Sequence, residues 1–257
     1  MRSMGYLIKC AVCLAVLFLI LPGIHGAKSF VKSSEYEILQ SSSADVPTWR
    51  IGASWRYYQD FWYNSTTSDD RIYLKERFTY TVKGLTYYTY AGTTYYGYNL
   101  SLRGDILGGS GKMSGYSLSI DSGTDRISGY LFCKISDLGI VADYAHKYIT
   151  GVAGGFISVK ARLDNTFFYE PPVEDFDFPI ALNDWFFANT TTRACGYIWY
   201  DAGIAGSGNS SFDDAALAEQ RITVSSSLES ITVPAGTFST YHLTAPINQG
   251  AGGTRAH

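Results

Sequence analysis

Charged residues and cysteines are scarce in this sequence, and each scarcity excludes a class of protein. Asp, Glu, Lys and Arg make up 17% of the 257 residues and leave a net charge of -3, so nothing in the charge favours nucleic acid as a partner. Four cysteines occur, two of them within the first 13 residues. No histidine cluster accompanies the other two, which argues against a zinc site.

Motifs of known catalytic sites are also missing. No serine lies in a nucleophile elbow. The stretch Gly108 to Lys112 (GGSGK) is similar to a phosphate-binding loop, but Ile106 and Met113 replace residues that such a loop requires. The acidic pairs Asp69-Asp70 and Asp213-Asp214 lack the spacing of a calcium loop. We therefore predict no catalytic residue, cofactor or metal. A third alternative is a secreted glycan-binding protein or a hydrolase, since the spatial pairing of two catalytic carboxylates is not visible in a sequence.

Aromatic and glycine residues are abundant instead. The chain has 21 tyrosines, 26 glycines and 46% hydrophobic residues. Segments rich in aromatic and β-branched residues, such as ERFTYTVKG and SGYLFCKIS, alternate with glycine-rich segments such as LGGSGKMSG. This pattern predicts an all-β protein of antiparallel sheets joined by tight turns.

The first 26 residues have the pattern of a signal peptide. Arg2 and Lys9 precede an apolar segment, Cys10 to Leu21, which Pro22 ends and which is short for a membrane-spanning helix. We expect cleavage after Gly26, followed by an N-terminal linker over 27–45. The alternative is an uncleaved N-terminal helix that anchors the protein. Either way, the protein is expected to be secreted or held at the cell surface.

Export would allow the remaining two cysteines to form a disulfide. Cys133 and Cys195 would meet an oxidising compartment, where two thiols can form one disulfide. The bond would close a loop of about 60 residues and stabilise the fold by roughly 4 kcal/mol. The alternative is two buried free thiols.

Export would also allow glycosylation at asparagine sequons. Four of the seven asparagines, Asn64, Asn99, Asn189 and Asn209, are followed at the second position by Ser or Thr. Asparagine-linked glycans at these positions would indicate a surface glycoprotein. The alternative is that a Ser- and Thr-rich exterior generates such sequons by accident.

Two similar stretches predict two related β modules. Tyr88 to Leu100 (YTYAGTTYYGYNL) and Ile231 to Leu243 (ITVPAGTFSTYHL) both predict a hairpin around Ala-Gly-Thr, and in both we expect the final Tyr and Leu to face the core. A tryptophan, Trp55 or Trp185, follows a proline upstream of each. We predict module one over 46–168, a Pro-rich acidic linker over 169–179 that cannot join a central strand, and module two over 180–257.

Module two is expected to be incomplete. Module one continues for about 68 residues beyond its hairpin, whereas only 14 residues follow Leu243. Nothing in those residues would cover Phe238, Tyr241 and Leu243 from one side. The expectation is therefore that the sequence is part of a longer protein or that another chain completes the module.

Short structural motifs carry a resemblance to a group of proteins. They are the segment from a proline to Trp55, the similar segment that ends at Trp185, and the hairpin residues Pro234, Ala235, Gly236, Thr237 and Phe238. With these motifs the chain resembles uncharacterised secreted β-sheet proteins of archaea and bacteria, which are distantly similar to lipoprotein carriers of the bacterial envelope. The resemblance implies the fold and an exported location, and it carries over no functional residue.

Two functions are compatible with these features. The first is a non-enzymatic cell-surface or extracellular protein, structural or adhesive, that self-assembles or contacts another surface protein through strand edges. The second is a carrier that holds a lipid or other apolar ligand. The Tyr-rich segment LTYYTYAGTTYYGYNL supplies either cross-strand packing or exposed rings for a glycan or an apolar ligand.

Overall fold

The fold was determined as a computed structural model, which describes residues 43–64, 69, 71–113, 115–174, 176–233, 236–244 and 252–256. The predicted signal peptide, most of the 27–45 linker, and Pro234 and Ala235 lie outside these residues. The strands and one 3-10 turn are β1 (Ser43–Ala44), β2 (Ser54–Asn64), β3 (Arg71–Tyr90), β4 (Thr93–Met113), β5 (Tyr116–Ile120), β6 (Gly123–Lys134), β7 (Ile140–Ala153), β8 (Ile157–Val173), β9 (Ile180–Ala181), β10 (Trp185–Asp201), the 3-10 turn Gly203–Ala205, β11 (Ser207–Val224), β12 (Glu229–Val233), β13 (Gly236–Thr240), β14 (Leu243–Thr244) and β15 (Gly252–Ala256).

The prediction of an all-β fold with antiparallel sheets is confirmed. Eleven strands form one sheet in the order β14-β11-β10-β8-β7-β5-β4-β3-β2-β15, with β6 paired to β4 and β7, and two further strand pairs lie outside it. No helix in the described ranges has the length and apolar character needed to cross a membrane.

The large sheet has one buried face, which we call the core face, and one outer face. Side chains alternate between the faces along each strand. Leu74, Leu102, Ile127, Leu163 and Ile198 lie on the core face of five different strands, and each is at most 6% exposed. Burial of one face of a single sheet requires the sheet to curl around that face, since a flat sheet would leave it in water.

Three apolar clusters occupy the core face. The first lies on β8, β10 and β11 around Phe167 and Ile198. The second lies on β2 to β6 around Leu74 and Ile106, and the third, around Val82 and Leu100, receives Trp49 and Trp55. Burial of these side chains, at about 25 cal/mol for each Å² of apolar surface, is the main driving force for curling the sheet.

The tip of the β3–β4 hairpin bends over the outer face. A register shift between Val82 and Gly84 marks the bend. Beyond it, Tyr88 stacks on Phe132 of β6 with ring centroids 5.1 Å apart, and Tyr90 stacks on Phe168 of β8 at 4.5 Å. Phe132 is therefore 1% exposed although it lies on the outer face. The Tyr-rich segment thus packs on this side against the strands it crosses.

The segment predicted as an interdomain linker differs from the structure in its first residues. Residues 169–173 continue β8, and Tyr169 and Glu170 pair with Thr192 and Thr191 of β10. Prolines are tolerated here because they fall at the end of the strand. Strands from both predicted modules belong to one sheet, and the division into two modules remains a prediction.

The two similar hairpins exist, but their equivalent glycines, Gly92 and Gly236, occupy different positions. β12 and β13 form the predicted hairpin, in which Gly236 pairs with Val233. In the first copy Ala91 and Gly92 form the two-residue turn itself, with φ of 49° and 82°, which is typical of a type I′ turn. Tyr98 and Leu100 face the core as predicted, at 3% and 2% exposure.

The second copy is less buried than the first. Phe238, Tyr241 and Leu243 are half-buried, and Gly236 and Thr237 are exposed. The two tryptophans also differ, since Trp55 packs in the third cluster whereas Trp185 is 51% exposed. Similar sequences therefore occupy different environments in the two copies.

Candidate functional site

Polar side chains meet in the middle of the core face, between the apolar clusters. Glu76, Asp143 and Asn165 are 1%, 5% and 7% exposed, which is unusual for these residue types. Asp143, Ala145 and Lys147 alternate along β7 and therefore share one face, and Asn165 of β8 pairs with Ala145. Regular alternation in two neighbouring strands thus brings the polar groups together.

Glu76 and Lys147 form an ion pair across the curled sheet. Nζ of Lys147 donates to both carboxylate oxygens of Glu76, at 2.7 and 2.8 Å. Their strands, β3 and β7, are separated by β4 and β6, which is about 14 Å on a flat sheet at about 4.8 Å per strand. Because side chains stand roughly perpendicular to a sheet, this contact shows that the sheet is concave here.

Asp143 is a buried carboxyl group with one strong hydrogen-bond donor. The hydroxyl of Tyr169 donates to its Oδ2 at 2.8 Å. Burial raises the pKa of Asp143 to about 7, and the Tyr169 hydrogen bond only partly opposes this. Burial, and next the Asp143 carboxylate, also raise the pKa of Tyr80 well above its usual value. The phenol of Tyr80 therefore stays protonated at neutral pH.

Asn165 lies in a row of small residues. Across β6, β7, β8 and β10 the row on the core face is Gly129, Ala145, Asn165 and Gly196, and the ring of Phe212 covers Gly196 at one end. Gly129, Ala145 and Gly196 are half-buried, so this row of small residues is less tightly enclosed than the buried residues of the apolar clusters. We call it the core-face groove.

The side-chain oxygen of Asn165 has no hydrogen-bond partner among the residues that the structure describes, although it is buried. An unsatisfied buried acceptor costs about 1–3 kcal/mol, so such atoms are rare unless a water or ligand completes them. The groove therefore contains a hydrogen-bond acceptor that is available to a donor group.

Three aromatic side chains lie next to this polar region. Tyr57 stacks with Phe78 at 5.5 Å, and Tyr80 contacts both rings edge-on at 5.9 and 5.7 Å. All three side chains are half-buried on the core face. The groove thus combines apolar ring surface with the charged and polar groups of Glu76 and Lys147. The region thus offers both hydrogen-bonding groups and apolar contact surface.

A second polar cluster lies on the outer face around Asp164. Its Oδ1 accepts hydrogen bonds from the Tyr144 hydroxyl and His146 Nδ1, both 2.7 Å, and its Oδ2 accepts from Arg162 at 2.8 Å. Partial burial raises the pKa of Asp164, but the three hydrogen bonds outweigh it and lower the pKa overall. Burial, followed by the bond to Asp164, raises the pKa of Tyr144 to about 12. Three partners from β7 and β8 hold this carboxylate in place, which indicates a structural role.

The predicted disulfide between Cys133 and Cys195 is absent, and both residues are thiols. Cys133 lies on β6 within the third core-face cluster, whereas Cys195 lies on β10 and points to the outer face. β7 and β8 separate the two strands, which is about 14 Å at about 4.8 Å per strand, whereas a disulfide needs Cα atoms within about 7 Å. Sequence spacing alone could not reveal the intervening strands.

Three of the four sequon asparagines share the outer face. Asn189 and Asn209 are exposed on β10 and β11, and Asn99 on β4 is half-buried beside Phe132. Asn64 ends β2, and its side chain lies outside the described part of the structure. Glycosylation at these positions remains a prediction.

The tyrosines of the Tyr-rich segment divide between packing and exposure. Tyr88, Tyr90 and Tyr98 pack against other elements, and the Tyr98 hydroxyl accepts a hydrogen bond from the backbone of Trp49 at 3.1 Å. Tyr87 and Tyr96 face each other at 4.9 Å and are 71% and 43% exposed. Cross-strand packing thus explains most of this segment.

Comparison of the chain with protein-family models, with curated proteins and with solved structures gives no match.

Sequence reasoning did not identify the core-face groove. Glu76 lies in ERFTYTVKG, which the sequence predicts as a strand, and Lys147 lies in GIVADYAHKYI, which has the same aromatic and β-branched composition. A signal was present, because Asp143 and Lys147 both fall on the face of β7 that alternation assigns to the core. Charged residues at core positions of a predicted strand are therefore the pattern that would have indicated the site.

Proposed function

We propose that this chain is an exported, non-enzymatic β-protein that binds an amphipathic ligand, a lipid or similar apolar molecule with a polar end, in its core-face groove. The observation that carries the proposal is the buried side-chain oxygen of Asn165 without a partner in the described structure. A ligand group that donates a hydrogen bond to this oxygen would remove the cost of leaving it unsatisfied.

The surroundings of Asn165 support an amphipathic ligand over a purely polar one. The half-buried rings of Tyr57, Phe78 and Tyr80 offer apolar contact area on one side of the polar groups. Glu76 and Lys147 compensate each other's charge, so the groove favours a neutral polar end. The secreted β-sheet proteins that the chain resembles are distantly similar to lipoprotein carriers, which agrees with a ligand of this class.

Native mass spectrometry of protein purified from its own host tests the proposal directly. We expect an adduct with the mass of a lipid or other amphipathic molecule that is lost on denaturation. Protein that carries no adduct, and that takes up none from a lipid extract of the host, would remove the carrier function.

A variant that fills the groove provides the second test. Ala145→Leu should weaken binding of the fluorescent probe N-phenyl-1-naphthylamine, because the larger side chain occupies the space beside Asn165. The matched control is Ala215→Leu, the same change at an exposed position of the outer face. Equal probe affinity in both variants would show that the probe binds elsewhere.

A second function, assembly at the cell surface, is favoured by one edge of the large sheet. Residues 207–219 of β11 pair with β10 on one side, and no strand within the described ranges pairs with their other side. Such an edge can accept a strand from another copy or another surface protein. Asp213, Asp214 and Glu219 on this strand would limit unspecific pairing.

Sedimentation velocity over a range of concentrations tests this second function. Leu217 is 75% exposed near the middle of the edge, and Leu217→Lys should reduce any self-association because an inserted lysine opposes edge-to-edge pairing. A wild-type protein that sediments as a monomer at all concentrations would argue against self-assembly.

A further inference from the structure

Two large aromatic side chains are exposed at the start of β10. Trp185 is 51% exposed and Phe187 is 47% exposed, and their rings contact edge-to-face at 5.6 Å. The Arg221 guanidinium lies 4.7 Å from the centre of the Trp185 ring. We call these two side chains the Trp185–Phe187 patch. A contiguous exposed aromatic surface can mark a contact with another molecule or group.

A glycosylation sequon lies directly beside this patch. Asn189 follows Phe187 by two residues on the same strand, so both side chains point to the outer face about 7 Å apart. Asn189 is exposed, and Thr191 completes the sequon. A sugar attached to the Asn189 side chain would therefore reach the ring of Phe187 without any change in the sheet.

We propose that Asn189 carries an asparagine-linked glycan whose first sugar packs on Phe187 and Trp185. One face of a pyranose ring consists of C–H groups, which pack favourably on an aromatic ring. The hydroxyl groups at its rim would meet Glu219, which pairs with Asn189, and Arg221, which pairs with Phe187. A glycan at Asn189 would thus cover the exposed rings of the Trp185–Phe187 patch. The inference rests on the exported location but not on ligand binding in the core-face groove.

The test compares four versions of the full chain, each secreted from insect cells. They are the wild type, Thr191→Val (which removes the sequon and keeps Asn189), Phe187→Ala, and the double variant. Glycopeptide mapping should find Asn189 modified. Loss of the glycan should lower the Tm by roughly 2–4 °C when Phe187 is present. In the Phe187→Ala background the same loss should change the Tm by less than about 1 °C.

Two controls separate the glycan from other causes. The same four proteins made in a bacterial host without glycosylation should show no dependence of the Thr191→Val effect on Phe187. Phe156→Ala removes another exposed phenylalanine, 73% exposed in the β7–β8 turn, and should leave the effect of the glycan intact. Trp185→Ala should reproduce the result of Phe187→Ala in part.

An unmodified Asn189 would overturn the proposal. An equal Tm loss with and without Phe187 would also overturn it, because the glycan would then act without touching the patch. Neither result bears on the core-face groove, whose proposed ligand is tested separately by native mass spectrometry of protein purified from its own host.

Discussion

Tyr169 and Asp143 are joined by a hydrogen bond of 2.8 Å on neighbouring strands of the core face, and each residue is only 5% exposed. One phenol donor cannot replace the hydration that a carboxylate has in water, so the pKa of Asp143 rises to about 7. The middle of the core face therefore contains a carboxyl group that changes charge near neutral pH.

The stability of the protein should fall as pH rises towards and through 7. The pKa of Asp143 is about 7 in the folded protein, whereas the usual value of 3.8 applies to the unfolded chain. Between these two pH values the folded state therefore binds more protons than the unfolded state. The free energy of unfolding contributed by this group then decreases with pH, by a few kcal/mol at most. Urea unfolding from pH 4 to 8 should show this slope in the wild type.

Asp143→Asn should remove that part of the slope, because the amide does not titrate. Asp214→Asn, at an exposed position, serves as the control for the loss of one charge. A slope that is unchanged in Asp143→Asn would show that Asp143 does not titrate in this range.

Removing one partner of the Glu76–Lys147 pair should lower the free energy of unfolding strongly, whereas replacing both partners should lower it little. Glu76→Leu or Lys147→Met alone leaves one charge in the groove without its partner, and we expect a loss of about 3 kcal/mol. The double variant should recover most of it, since two apolar side chains remain. A double-mutant cycle from urea unfolding measures the coupling; purely additive single losses would contradict it.

The exposed pair Arg193–Asp213 offers the comparison for this cycle. Both side chains are about half exposed, at 49% and 54%, and their ion pair is 2.7 Å. Solvent screens such pairs, so its coupling should be much smaller than that of Glu76 and Lys147.

Gly129 should not tolerate a methyl group. A Cβ at this position would lie 1.8 Å from the carbonyl oxygen of Tyr144, so the backbone of β7 would have to move. We expect Gly129→Ala to destabilise the protein by about 3 kcal/mol or more. Gly123→Ala, on the same strand, meets only the flexible side chain of Arg126 at 2.5 Å and should cost less than about 1 kcal/mol. Similar losses in both variants would contradict this account of the strand contact.

Cys133 and Cys195 should both be alkylated without prior reduction once the protein is unfolded. In the folded protein Cys195 should react first, because it is half-buried whereas Cys133 is 2% exposed. Burial raises the pKa of Cys195, so its reaction should also be slow at neutral pH. Peptide mass spectrometry checks both statements, and a linked Cys133–Cys195 peptide would contradict the structure.

Local features of the fold were predictable from the sequence, and distant contacts were not. The strands and the β12–β13 hairpin follow from alternation and turn residues within a few positions. The Glu76–Lys147 contact joins residues 71 positions apart and depends on the register of four strands. The sequence motif around Trp55 and Trp185 looked equivalent, but only Trp55 acquired neighbours that bury it.

The Glu76–Lys147 contact also has a consequence for the order of folding. The β3–β4 and β6–β7 hairpins join segments that are close in the sequence, so they can form early and independently. The ion pair forms only after β3, β4, β6 and β7 have aligned and curled, so we expect it among the last contacts to appear. The groove would then be absent from partly folded chains, and a ligand bound there would slow unfolding without accelerating the formation of the hairpins.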